Sequence, residues 1–226
     1  MSWSDFFYPG NPERREMLIR KDQEIKVLME NNFRATNQLV EVLNKHLNLS
    51  LSPIALDEKA TVKENCDVII ECINEIQAEV EKIDTLLKEK LDPALYEILR
   101  NKSLSVPNYQ TVVTAVHVIT GVGSIAAVAL IVYLITSNNI LIDMKNKYGT
   151  WGTLLFASLP LGVFFAGIDA FIQAIIGSYE REALEKALEE YDKSLKEFKP
   201  ASHKYQDHIT DVRMRIEMLN NFHILL

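Results

Sequence analysis

Two side chains in this 226-residue sequence are placed to do chemistry in an apolar setting. Asp169 stands in the middle of "LPLGVFFAGIDAFIQAIIG", Leu159 to Gly177, and is the only charge between residues 148 and 177. His117 is the only histidine in "TVVTAVHVITGVGSIAAVALIVYLIT", the uncharged run 111–136. A carboxylate in hydrocarbon is costly unless it is paired, protonated or facing water. If the two runs fold back on each other about residues 143–144, Asp169 falls beside His117, and Gln173 follows one turn on. The spacing therefore points to an intramembrane polar set, Asp169, His117 and Gln173, in which a buried Asp169–His117 contact fixes the register. An ion or proton carrier centred on Asp169 is the lesser reading, because one Asp and one His do not make a conduction path.

Other chemical signals fall away. "GVGSIA", Gly121 to Ala126, fits a dinucleotide-binding glycine pattern, and Asp143 lies 20 residues beyond Gly123. That fingerprint needs a strand–turn–helix unit, whereas heptad-patterned segments flank it here. There is no P-loop, HExxH, GxSxG or CxxC, and His46, His203, His208 and His223 do not pair at the i, i+4 spacing of a metal site. Cys66 and Cys72 are six apart, on different helical faces, and read as buried free thiols. No catalytic, cofactor-binding or metal-binding residue is expected, and the chain is not expected to be an enzyme. Residues 1–110 carry 14 Lys/Arg against 19 Asp/Glu, and 178–226 carry 8 against 10, so no basic block offers a nucleic-acid footprint.

The elements that must position these residues are long helices. After "YPGNP", with Pro12 near a helix start, apolar residues recur every seven: Leu18, Ile25, Asn32, Leu39, and beside them Leu28, Ala35, Val42, Leu49. "SLSP" ends that helix. The second is capped by Asp57 or Thr61, with Glu64 completing a capping box. Val62, Cys66, Ile69, Ile73, Ile76, Val80, Ile83 and Leu87 then alternate four and three apart, the heptad signature. The third seam is Leu184, Leu188, Tyr191, Leu195, Phe198, then Tyr205, Ile209, Val212, Ile216 and Leu219. Pro200 should kink or split it.

Between these lies an apolar hairpin, 111–177, with spans at about 111–136 and 151–177 joined by "SNNILIDMKNK", Ser137 to Lys147. Each span has the roughly 20 apolar residues that a bilayer core requires. Tyr109, Tyr133, Tyr148, Trp151 and Tyr179 sit near the segment ends, where an interfacial aromatic belt belongs. Ser158, Gly162, Ala166, Ala170 and Ala174 are spaced four apart, with Gly123 and Ala127 on the first span, as close helix packing in lipid favours. Lys/Arg near the spans place the charged blocks in the cytosol, and no cleavable signal peptide is visible.

The stretches "SDFFYPGNPERRE", "ATNQLVEVLNKHL", "TVKENCDVIIECINEIQ" and "LEEYDKSLKEFKPASHKYQDHITDV" resemble the single-pass membrane and coiled-coil domain-containing protein 3 family. The resemblance covers the first two helices and the C-terminal one. It implies a small membrane-anchored coiled-coil protein with no assigned activity, and with one span rather than two.

The expectation is thus an all-α protein: a long coiled-coil-like helical bundle carrying a transmembrane helical hairpin. Its regions are 1–110, 111–177, and 178–226 kinked at Pro200. The expected role is an integral membrane anchor and interaction scaffold, with the lipid bilayer, a second copy or a coiled-coil protein as partner. The alternative is a membrane-active protein that conceals its apolar hairpin and inserts it later.

Overall fold

The computed structural model describes residues 9–100, 106–121, 125–158, 167–176 and 179–222. Every regular element among them is an α-helix: α1 (Asn11–Leu47), α2 (Val62–Lys90), α3 (Pro93–Arg100), α4 (Val106–Thr120), α5 (Ile125–Ser158), α6 (Gly167–Ile175) and α7 (Glu180–Phe222).

Local chemistry sets most of these boundaries. Pro12 occupies the first turn of α1, where its missing N–H costs nothing. Asn48 follows the last turn with φ 53°, a left-handed conformation that Asn tolerates. The expected capping box opens α2. The Thr61 N–H donates to Glu64 Oε2 at 2.7 Å, and the Glu64 N–H donates to Thr61 Oγ1 at 3.1 Å. Asp92 caps α3 through the Ala94 N–H at 2.9 Å, with Pro93 at the first helical position.

The apolar region departs from the expected hairpin at two places. Residues 111–136 are not one helix: α4 stops at Thr120, and Gly121 takes φ 67°, its N–H donating to the His117 carbonyl at 3.0 Å. A left-handed glycine after the last turn ends a helix in this way. The expected connection, 137–147, is helical within α5. It contains neither Gly nor Pro, and its Leu141 and Met144, with Tyr148 and Trp151, form a buried stripe at helical spacing. α5 does bend by 56° between Ile135 and Asn139. No single helix among the described residues is long and apolar enough to cross a membrane. The bent pair Ala126–Ile135 and Asn139–Gly152 passes that test together, by length and composition.

α7 runs continuously through Pro200. Pro200 is exposed, as is Lys196, whose carbonyl loses its partner. The buried Phe198 and Ser202 keep their place in the seam on either side.

Chain contacts divide the molecule into two units, the first Met1–Arg34, Ala55–Ile70 and Lys145–Lys204, the second Ala35–Ile54, Glu71–Met144 and Tyr205–Leu226. The four long helices each contribute one segment to each unit. α1, α2 and α7 run from the first into the second, and α5 runs the other way. Within a single chain each of the three seams already buries apolar positions: Leu18, Ile25 and Leu39 on α1, Ile69, Ile73 and Ile76 on α2, and Leu184, Ile209 and Val212 on α7.

Candidate functional site

The most organised polar chemistry lies along the seam between α1 and α7. On α1 the buried positions alternate four and three apart: Leu18, Asp22, Ile25, Met29 and Asn32 in the first unit, then Thr36, Leu39 and Leu43 in the second. On α7 the same rhythm runs Leu184, Leu188, Tyr191, Leu195, Phe198 and Ser202, then Tyr205, Ile209, Val212 and Ile216. In the first unit the Tyr191 hydroxyl donates to Asp22 Oδ1 at 2.9 Å, and Asn32 Nδ2 donates to Ser202 Oγ at 2.9 Å. In the second, the hydroxyls of Thr36 and Tyr205 meet at 2.9 Å. The partners are 169 or 170 residues apart in every case, so α1 and α7 run parallel. In the first unit Arg14–Glu185 at 2.9 Å, Arg15–Glu180, Lys21–Asp192 and Lys199–Glu24 flank the seam.

Burial governs the acidity of these groups. Asp22 is only 6% exposed. Desolvation raises its pKa from 3.8 to about 6, against the Tyr191 hydrogen bond and the charge of Lys26, which lower it; the carboxylate of Asp169 raises it further. Desolvation likewise pushes the Tyr191 and Tyr205 hydroxyls well above the ordinary range. The thiols of Cys66 and Cys72 are free and buried, as expected, and burial moves both upward, Cys72 to about 11. Such thiols stay protonated and unreactive at neutral pH.

The residues singled out by sequence are distributed differently. Asp169 lies on α6 in the first unit and His117 on α4 in the second, and both are exposed, as is Gln173. The expected burial is therefore absent, and an exposed carboxylate keeps its hydration. The charge on α1 that Asp169 influences is Asp22. Ala127 is fully buried, and Ser158, Ala170 and Ala174 lie in helices. Gly123, Gly162 and Ala166 fall outside the described residues.

Three of the expected belt aromatics pack against α7 instead. Tyr133 meets His208 through its hydroxyl, 2.7 Å from Nδ1, with ring centroids 4.8 Å apart. Trp151 is buried and stacks on Phe198 at 4.4 Å, and buried Tyr148 meets the same ring edge-on at 5.4 Å. Tyr179 is 77% exposed.

A model of the family described as "Protein of unknown function (DUF4533)" matches residues 14–149, from the first turns of α1 into α5. The chain belongs to that family. No solved structure matches it. The matched region holds Asp22, Asn32 and Thr36 of the seam but none of their α7 partners.

Three asparagines that sequence reasoning passed over organise the link between α1 and α2. Asn37 Nδ2 donates to the Ile54 carbonyl at 2.7 Å and its Oδ1 accepts the Ile54 N–H at 2.8 Å. Asn44 holds Leu51 in the same two-bonded way, at 2.8 and 2.9 Å. In the first unit Asn65 holds Asp57, both bonds at 2.9 Å. The clamped residues are 51, 54 and 57, the three-residue period of a polyproline-like chain.

A carboxylate titrating near neutrality suits a general base, but Asp22 is buried against Tyr191. The two described cavities are small, about 10 Å³ each, and neither is lined by Asp22 or Tyr191. Polar groups at heptad positions specify which helix pairs with which, and in what register.

Proposed function

We propose that the chain is a non-catalytic helical protein that meets membranes, holding an apolar segment among its own long helices until a bilayer takes their place. One observation carries this reading. Ala126–Ile135 has no charge, yet Ala127, Val128 and Leu130 are fully buried, and Leu134 lines a small cavity with Leu39, Leu141, Ile209 and Val212 of the same unit. The helices around it are charged on their outer faces, and Asp22, Asn32 and Thr36 are paired along the α1–α7 seam. Release into lipid therefore exchanges one apolar surrounding for another, and the cost falls on opening the seams.

The test is detergent-free purification followed by flotation with liposomes and a dye-release assay. A monodisperse lipid-free form that then floats with the vesicles and releases dye supports the proposal. A chain found only in membranes and resistant to carbonate extraction would reject concealment.

A permanent anchor, with the charged helices acting as a cytosolic scaffold, is the second reading. It is favoured by residues 148–177, where Asp169 is the only charge, and by the resemblance to membrane-anchored coiled-coil proteins. In an inserted hairpin Asp169 meets His117. Non-additive losses of hairpin stability in Asp169→Asn, His117→Gln and the double variant would support that pairing, and additive losses would remove it. A pH-dependent ion flux abolished by Asp169→Asn would point to a carrier instead.

A further inference from the structure

The link between α1 and α2 carries an exposed Ser-Pro pair between two main-chain clamps. Leu51 and Ile54 are gripped through their main-chain N–H and C=O by Asn44 and Asn37, which leaves the two residues between them, Ser52 and Pro53, exposed. The clamps are seven residues apart on α1, about 10.5 Å of helix rise. The gripped residues are three apart, about 9.3 Å of polyproline-like chain. Residues 51–54 are therefore drawn out along the helix as a strap, with the N–H and C=O of Leu51 and Ile54 engaged by α1. Pro53 has no N–H to donate, and it sits where no clamp needs one.

We propose that Ser52 is a phosphorylation site for a proline-directed serine kinase, and that its phosphate loosens the strap from α1. An enzyme that reads Ser-Pro needs an extended main chain and a hydroxyl facing water, and the strap offers both. The γ-phosphoryl group of a nucleoside triphosphate passes to Ser52 Oγ. Its bond to the departing diphosphate breaks as the Oγ–P bond forms, and the hydroxyl proton leaves to the kinase base.

The consequence follows from α1. Glu41 lies four residues after Asn37 and three before Asn44, on the face that carries both clamps, and it is exposed. Ser52 and Pro53 join the residues held at Asn44 and Asn37, the two clamps that bracket Glu41 in α1. A phosphate there adds nearly two negative charges beside a carboxylate, and like charges at this range repel. The strap is held by neutral hydrogen bonds alone in this stretch, so repulsion acts against modest bonds. This proposal is independent of the membrane reading.

The experiment uses the full chain, a proline-directed serine kinase and magnesium ATP, with mass spectrometry and amide hydrogen exchange. The expected result is one phosphoryl group on Ser52, absent in Ser52→Ala and strongly reduced in Pro53→Ala, which keeps the hydroxyl. Exchange protection at the Leu51 and Ile54 amides should fall roughly five- to tenfold, the effect of losing about one ordinary hydrogen bond. Glu41→Gln should blunt that fall without affecting transfer. Phosphorylation at Ser50 instead, transfer undiminished in Pro53→Ala, or no transfer at all would overturn the site. Unchanged or increased protection after phosphorylation would overturn its effect on the strap.

Discussion

Replacing Asp22 by Asn should stabilise the protein at neutral pH, although it removes a buried, hydrogen-bonded side chain. Asp22 is 6% exposed, and its pKa rises from 3.8 to about 6 on folding, mainly through desolvation. The folded state then binds the proton more tightly than the unfolded one. This group's contribution is fully present below about pH 4 and is lost as pH rises through about 6. A shift of this size corresponds to about 3 kcal/mol between the protonated and charged forms. Asn is neutral at every pH, and its Oδ1 can still accept the Tyr191 hydroxyl. Its amide hydrogens need acceptors of their own, so the net gain at pH 7 should be about 1–2 kcal/mol. The assay is urea unfolding of both proteins from pH 4 to 8, read as the difference between their stabilities, which cancels the other carboxylates. The difference should favour the Asp22→Asn variant at pH 7 and shrink toward zero or reverse by pH 4–5. A variant less stable at pH 7, or a difference flat with pH, would refute the assignment of desolvation as the dominant cause.

Other expectations follow from single contacts. Tyr205→Phe removes the hydroxyl contact between Thr36 and Tyr205 at 2.9 Å. Unfolding in urea should show a loss of about 0.5–1.5 kcal/mol, the net worth of one intramolecular hydrogen bond. Trp151→Ala empties the stack on Phe198 and should cost about 3–5 kcal/mol in the lipid-free protein; a thermal midpoint unchanged without lipid would restore the interfacial role for Trp151. Cys66 and Cys72 are buried and protonated, so an aromatic disulfide reagent should react with them in urea and hardly at all in the native protein.

How much of this was legible beforehand depends on which residues carry the signal. The α2 seam, with Cys66, Ile69, Ile73, Ile76 and Val80, was readable because every heptad position there is apolar. The α1 and α7 seams were read with gaps because Asp22, Thr36 and Ser202 are polar. Filling each gap in the four-three rhythm would have found them, since a polar residue at a seam position needs a partner and points to one. The capping box at Thr61 was legible because both of its residues are local. Hydropathy alone does not place the turn of the expected hairpin. Hydropathy counts apolar residues but not what covers them, and the stripe Leu141, Met144, Tyr148 and Trp151 continues a helix across the expected connection. The asparagine clamps left no periodic trace, because they bind main chain, whose position depends on the fold itself.

The exchange of α5's own helical covering for lipid can be followed with an environment-sensitive fluorophore on Leu130→Cys, in a background with Cys66 and Cys72 replaced by Ala. In lipid-free protein the fluorophore should be shielded from a water-soluble quencher. After liposomes are added, nitroxides on the lipid acyl chains should quench it. Open access to the aqueous quencher before lipid is added, or no quenching by the acyl-chain nitroxides afterwards, would contradict the account.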